Sequence, residues 1–193
     1  TAAHLTPALG LTAPQPRSES PRNVLPGLYA WKDGRAERGS KLGFDYLVLG
    51  QWSNSDIGDG EAAGGIARFF GTVAMGDGGH SLTFKVEDRH RLAGRIAPQD
   101  FGFDSGALSV TGTAFNDSGT LLTNLFWTYR DPDGRYTLQI GQLDVTDFLD
   151  IYGLVSPYTS FQNLAFNTNP TLNAANPGLG IAAGVRISST FYA

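Results

Sequence analysis

The segment His80–His90, HSLTFKVEDRH, is the strongest constraint on what this chain can fold into. A β-strand turns successive side chains to opposite faces, so alternate positions sort onto two surfaces. One set here is His80, Leu82, Phe84, Val86, Asp88 and His90; the other is Ser81, Thr83, Lys85, Glu87 and Arg89. The middle of the segment has one apolar face and one charged face. The same alternation recurs along most of the chain, in segments close to the roughly 9–11 residues that a tilted strand needs to cross a bilayer. A membrane barrel therefore competes from the outset with a soluble two-sheet fold.

Seven strand candidates carry the pattern: Lys41–Trp52, Gly65–Met75, His80–His90, Ala107–Phe115, Thr120–Arg130, Arg135–Gln142 and Gly180–Phe191. In Gly65–Met75, Ile66 and Phe70 blur the alternation. In Thr120–Arg130 the apolar set reads Leu121, Leu125, Trp127 and Tyr129. Gly76–Gly79, Asn116–Gly119 and Asp131–Gly134 have turn chemistry and predict antiparallel hairpins. With seven strands, the first two of these turns share an end and the third falls on the opposite one, so the ends are not assigned. Residues 1–27 are a Pro-rich lead-in within an N-terminal arm spanning 1–40. The barrel strands then occupy 41–193, with a long inserted loop at 143–178. Within that loop, Thr146 is an N-cap candidate for a short helix over 146–152.

Composition narrows the function classes. Fourteen basic residues against 18 acidic ones leave a net charge of −4, and the basic ones are dispersed. No Lys/Arg block or basic helix points to nucleic acid. No cysteine is present, which excludes disulfide and thiolate chemistry. Twenty-five glycines and 12 phenylalanines beside one methionine suit many turns and aromatic-rich strands. No apolar run approaches the roughly 20 residues of a transmembrane helix, and alternating barrel strands would not produce one. The opening Thr1-Ala2-Ala3-His4 is what a processed signal peptide leaves, and equally what trimming leaves.

Aromatics fall towards strand ends (Tyr46 and Trp52, Trp127 and Tyr129, Tyr136, Phe191 and Tyr192), as in the interfacial girdles of membrane barrels. The competing reading makes them core residues of a soluble β-sandwich or barrel, acting as a binding or structural module. A third reading is a small eight-stranded barrel with a plugged interior. Because bacterial single-chain barrels have even strand numbers, seven candidates imply a strand missed in 91–106 or 155–170, or the N-terminal portion of a larger barrel.

Gly141-Gln142-Leu143-Asp144-Val145-Thr146-Asp147-Phe148-Leu149-Asp150, then Phe161-Gln162-Asn163-Leu164-Ala165-Phe166 and Pro177-Gly178-Leu179-Gly180, resemble the carbohydrate-selective outer-membrane porins of the OprB type. In that family a strand ending in IGQ or IGK leads to a D-x-x-D-F segment and then an F-x-N-x-A-F segment. The strands Leu42–Gln51 and Ser81–His90 add to the likeness, which spans roughly residues 40–185. It implies an antiparallel up-and-down transmembrane β-barrel, of which this chain supplies part of about 16 strands. It also implies a bacterial outer-membrane location, lipid around the barrel, small sugars as solutes and a loop folded into the lumen. An oligomer is compatible with it, and no catalytic role or cofactor is expected.

Selectivity in such a channel comes from side chains that line it. The polar strand faces supply Arg68, Lys85, Glu87, Arg89, Asn124, Arg130, Arg135, Gln139 and Arg186 as pore-lining candidates. The long loop supplies Asp144, Asp147, Asp150, Phe161 and Asn163 as constriction candidates. The arginine bias suits anionic solutes as well as sugars, and sugar rests on the resemblance. Asp56, Asp59 and Glu61 resemble a cation loop but miss the EF-hand spacing. Asp144, Asp147 and Asp150 stand at i, i+3 spacing, as a carboxylate cluster or as the solvated edge of a capped helix. No metal site is expected. No nucleophile elbow, P-loop, zinc-helix or dinucleotide motif occurs.

Overall fold

The computed structural model describes residues 39–54, 56–148, 161–169 and 175–188, together with 34, 156, 158 and 171. Most of the expected N-terminal arm, Asp150, Phe191 and Tyr192 lie outside the described residues. Six strands form one antiparallel sheet in sequence order: β1 Lys41–Trp52, β2 Glu61–Ala74, β3 His80–Ala93, β4 Gly119–Arg130, β5 Tyr136–Leu143 and β6 Gly178–Val185. Each pairs with its neighbour in the chain, so the topology is up-and-down. The sheet is open, with β1 and β6 as its edges.

The segment Ala107–Phe115, expected as a strand, is not one. Its Ser/Thr alternation mimics a strand, but Gly106 and Gly112 adopt φ of 87° and 58°, which breaks extended backbone just before it and within it. Leu108 is fully exposed, whereas Ala114 and Phe115 are buried, so the supposed apolar set does not share a face. A helix, Pro98–Asp104, precedes it. Proline at its first turn has a pre-set φ and loses no hydrogen bond there. Gly106 follows its C-cap Ser105, with Gly106 N–H donating to the Phe103 carbonyl at 3.1 Å.

Removing that strand changes the parity of everything downstream. Connections 53–60, 94–118 and 144–177 now lie at one end of the sheet, while the short turns 75–79 and 131–135 lie at the other. Asn116–Gly119, read as a hairpin turn, belongs to the long 94–118 connection. The ends that turn chemistry left unassigned are distinct once the strand count is six.

The two faces differ in kind. Register aligns Phe44, Phe69 and Val86 across β1 to β3, and Leu82, Trp127, Ile140 and Ile181 across β3 to β6. This apolar face is exposed: Phe44 is 69 %, Val48 60 % and Ile181 71 % accessible. Among the described residues no second layer covers it. The helix Pro98–Asp104 contacts β1 and β2 from the other side, where Pro98 abuts Gly64. That inner face also carries the core: Ile66, Ala114 and Phe115, with Leu47, Leu49 and Tyr158 packed against them.

A bulge in β4 opposite Lys85–Val86 inserts Thr123 and shifts the alternation. Leu122, not Leu121, aligns with outward Val86, and Leu121 aligns with inward Glu87. The apolar set expected for this strand is therefore corrected at Leu121.

Candidate functional site

The inner face of the first three strands brings charge together in one row. Antiparallel register places Asp45 of β1 opposite Arg68 of β2, and Arg68 opposite Glu87 of β3. Arg68 grips Asp45 with a two-point fork, Nε to Oδ1 and Nη2 to Oδ2 both at 2.7 Å. The Tyr158 ring lies on its guanidinium, 4.4 Å from Cζ to the ring centre. A planar cation suits both partners, since the fork matches a carboxylate and the flat face stacks on an aromatic.

Glu87 is 1 % exposed and sits between its strand neighbours Lys85 and Arg89. Its Oε2 accepts from Arg89 Nε at 2.9 Å and from Nη2 at 2.5 Å. Its Oε1 lies 4.0 Å from Lys85 Nζ and has no hydrogen-bond partner among the described residues. A buried carboxylate persists only where cations compensate its lost hydration, and the i±2 spacing supplies two on its own strand.

Lys85 ties this wall to the start of the long connection 144–177. Its Nζ donates to Asp147 Oδ2 at 2.8 Å and stands 3.8 Å from Asp144 Oδ2. Asn124, aligned with Lys85 on β4, clips the same segment twice. It donates from Nδ2 to Asp147 at 2.6 Å and accepts from the Asp144 backbone N–H at 2.8 Å. Asp144 caps the 3-10 turn Val145–Asp147, accepting from Thr146 N–H at 3.0 Å. The cap is thus Asp144, not Thr146, and a 3-10 turn stands where the expected helix begins. Phe148 then packs edge-on against inward Phe126, with ring centres 6.0 Å apart.

The two long connections are joined over the inner face. Gly112 N–H donates to the Gln162 carbonyl at 2.9 Å, and Leu164 N–H to Val110 at 2.8 Å, around the bridge Thr111–Asn163. Tyr158 is partly buried, packed against the core of Ile66, Ala114 and Phe115. That burial, reinforced by the nearby Glu87 charge, raises its phenol above the ordinary tyrosine range, so the hydroxyl stays neutral.

Of the expected pore-lining residues, Arg68, Lys85, Glu87, Arg89 and Asn124 share this wall. Gln139 faces the same way further along β5, its Nε2 reaching Thr128 Oγ1 at 3.5 Å. Arg130, Arg135 and Arg186 do not join them. Arg130 is exposed at the turn end of β4, and Arg135 lies in the turn 131–135 before β5 begins. Arg186, just beyond β6, donates to the Asp133 carbonyl at 2.7 Å. Among the loop candidates, Asp144 and Asp147 dock on the wall. Phe161 is exposed, and Asn163 caps the helical turn Leu164–Asn167. Asp59 pairs with Arg95 of the 94–118 connection, and no cluster of three metal-ligating side chains occurs among the described residues. Sequence reasoning missed Tyr158 and the helix within the 94–118 connection. Pro98 with Asp100 in the first turn was the available signal for the latter; nothing local marks Tyr158.

Among the described residues most polar groups of the outer face lie near its ends; further in, Gln142, aligned with Leu125, donates to the Leu122 carbonyl. Tyr46 OH and His90 Nε2 are 2.8 Å apart, and Asp88 bridges His90 Nδ1 at 2.8 Å and the Thr120 hydroxyl at 2.7 Å. Gly65 provides the room, because a Cβ there would collide with both Tyr46 and His90. At the short-turn end His80 stacks between Trp127 and Tyr129, with centroids 5.4 and 5.0 Å away. The chain matches no family model, no curated protein and no solved structure.

Proposed function

We propose that this sheet is the N-terminal part of an outer-membrane β-barrel porin that lets small carbohydrates diffuse through its interior. The observation that carries the reading is the exposed apolar face running across all six strands between two aromatic rims. His80 and His90 mark the rims on one strand. Ten residues at about 3.3 Å each make about 33 Å of strand, and a tilt of about 40° reduces this to roughly 25 Å, the height of a barrel's apolar band. A soluble fold has no reason to leave Phe44, Val48 and Ile181 uncovered over such a span.

The asymmetry of the connections supports the same reading, since such barrels have short periplasmic turns and long outer loops. On that pattern 75–79 and 131–135 face the periplasm, and 94–118 and 144–177 face outward. The barrel closes when further strands pair with the edges β1 and β6. The sugar assignment rests on the resemblance at 141–150, 161–166 and 177–180. A wall of mixed charges and amides is compatible with it, because hydroxyl groups need both donors and acceptors.

One observation favours a second reading, a non-conducting barrel. Phe115 and Ile66 are fully buried on the inner side, so the long connections pack part of the interior. Planar-bilayer recording with the full chain separates the two. Stepwise conductance that falls as glucose or maltose is added supports a sugar-binding pore. Insertion without conductance supports the plugged barrel, and a protein that stays monomeric in water without detergent overturns both.

A further inference from the structure

We propose that Glu87 is the positioning residue that keeps the inner wall from presenting free cations, so that the solutes admitted are neutral or cationic and anions are disfavoured. This rests on the pore reading above and settles the solute charge that the arginine bias left open.

The count of arginines misleads because it ignores where they lie. Arg130, Arg135 and Arg186 gather at the short-turn end, where they serve as rim or turn groups. Of the expected pore-lining cations, those that share the wall are Arg68, Lys85 and Arg89, and each stands against a carboxylate at 2.8 Å or less. Asp45, Glu87, Asp144 and Asp147 oppose them, four carboxylates to three cations and a net charge of −1.

Glu87 holds a special place among the four. It lies between Lys85 and Arg89 on one strand and aligns with Arg68 on the next, so all three cations surround one nearly inaccessible carboxylate. The unpartnered Oε1 on the side of Lys85 shows that it is held by charge and not by a full set of hydrogen bonds. Arg89 is drawn onto this centre, while Arg68 and Lys85 beside it are held by Asp45 and Asp147. Without Glu87, Arg89 loses its carboxylate partner, while Arg68 keeps Asp45 and Lys85 keeps Asp147, so the wall gains one uncompensated cation facing the lumen.

The test is the reversal potential of the full chain in planar bilayers under a KCl gradient, for the native protein, E87Q, E87D and D147N. The native channel is expected to be unselective or weakly selective for potassium. E87Q is expected to move the reversal potential towards chloride, D147N to move it the same way by less, and E87D to restore the native value. A purely structural role for Glu87 would alter folding yield without this ordered shift. An anion-selective native channel, or an unchanged potential in folded E87Q, overturns the proposal. If E87Q does not fold, D147N decides, because its carboxylate is one-third exposed and its loss leaves no sealed charge. If no channel forms at all, the pore reading fails separately. Acylation of Lys85 by a water-soluble reagent then still reads the wall: slow in the native chain relative to exposed Lys41 and faster in D147N and E87Q, or, on the overturning outcome, equally fast in all.

Discussion

The two faces of the sheet reverse the usual relation between chemistry and exposure. Phe44, Val48 and Ile181 stand uncovered on one side, while Glu87 is sealed on the other. Water as the common solvent would favour the opposite arrangement, since burying apolar area stabilises and burying charge costs. On the proposed membrane reading, burial is governed by the surroundings each face is built for: hydrocarbon outside, and a compensated polar wall inside.

The sharpest way to break this comparison is a charge in the middle of the apolar face. Val86→Arg lies near the centre of the band between His80 and His90. It should destabilise the liposome-inserted protein by about 2–4 kcal/mol in guanidinium unfolding. In a water-facing sheet the same change at a partly exposed site would be close to neutral, and that outcome would sink the membrane reading. On the inner face, Asn124→Ala removes both clips on Asp144 and Asp147. It should cost about 1–3 kcal/mol and speed amide exchange over 144–148 while leaving the hairpin β4–β5 protected. Equal protection in the two proteins would mean that the strap is held by Phe148 instead. The smallest effect is expected at the rim: Arg186→Gln should change stability by less than about 0.5 kcal/mol and leave ion selectivity unaltered. A marked selectivity change there would return the turn arginines to the solute path.

Most of the sheet was legible because alternation is a local signal. His80–His90 needed only its own residues to reveal two faces, and β1, β4 and β5 were readable in the same way. Errors arose where a distant segment decides the outcome. Ile66 broke the alternation of β2 because Phe115, far along the chain, packs on it from the inner side. What looked like noise in the strand was the footprint of the connection 94–118. Leu121 was assigned to the wrong set because a bulge is a property of paired strands and has no mark in one. Arg68, Lys85, Glu87 and Arg89 were identifiable as inward groups, but their mutual neutralisation depends on cross-strand register. Arg135 and Arg186 were misplaced by a slip of a residue or two at strand ends, where the same side chain passes from wall to turn.

The uneven connections also order the assembly of the sheet. The turns 75–79 and 131–135 close β2–β3 and β4–β5 across about five residues, whereas β3 must find β4 across about 25. Loop-closure entropy makes the longer search costlier by roughly 1.4 kcal/mol, and local pairings form faster. The ribbons β2–β3 and β4–β5 are thus expected to zip before they dock on each other, and the connection between them, 94–118, carries its own anchor in Phe115, packed with Ile66 and Leu49.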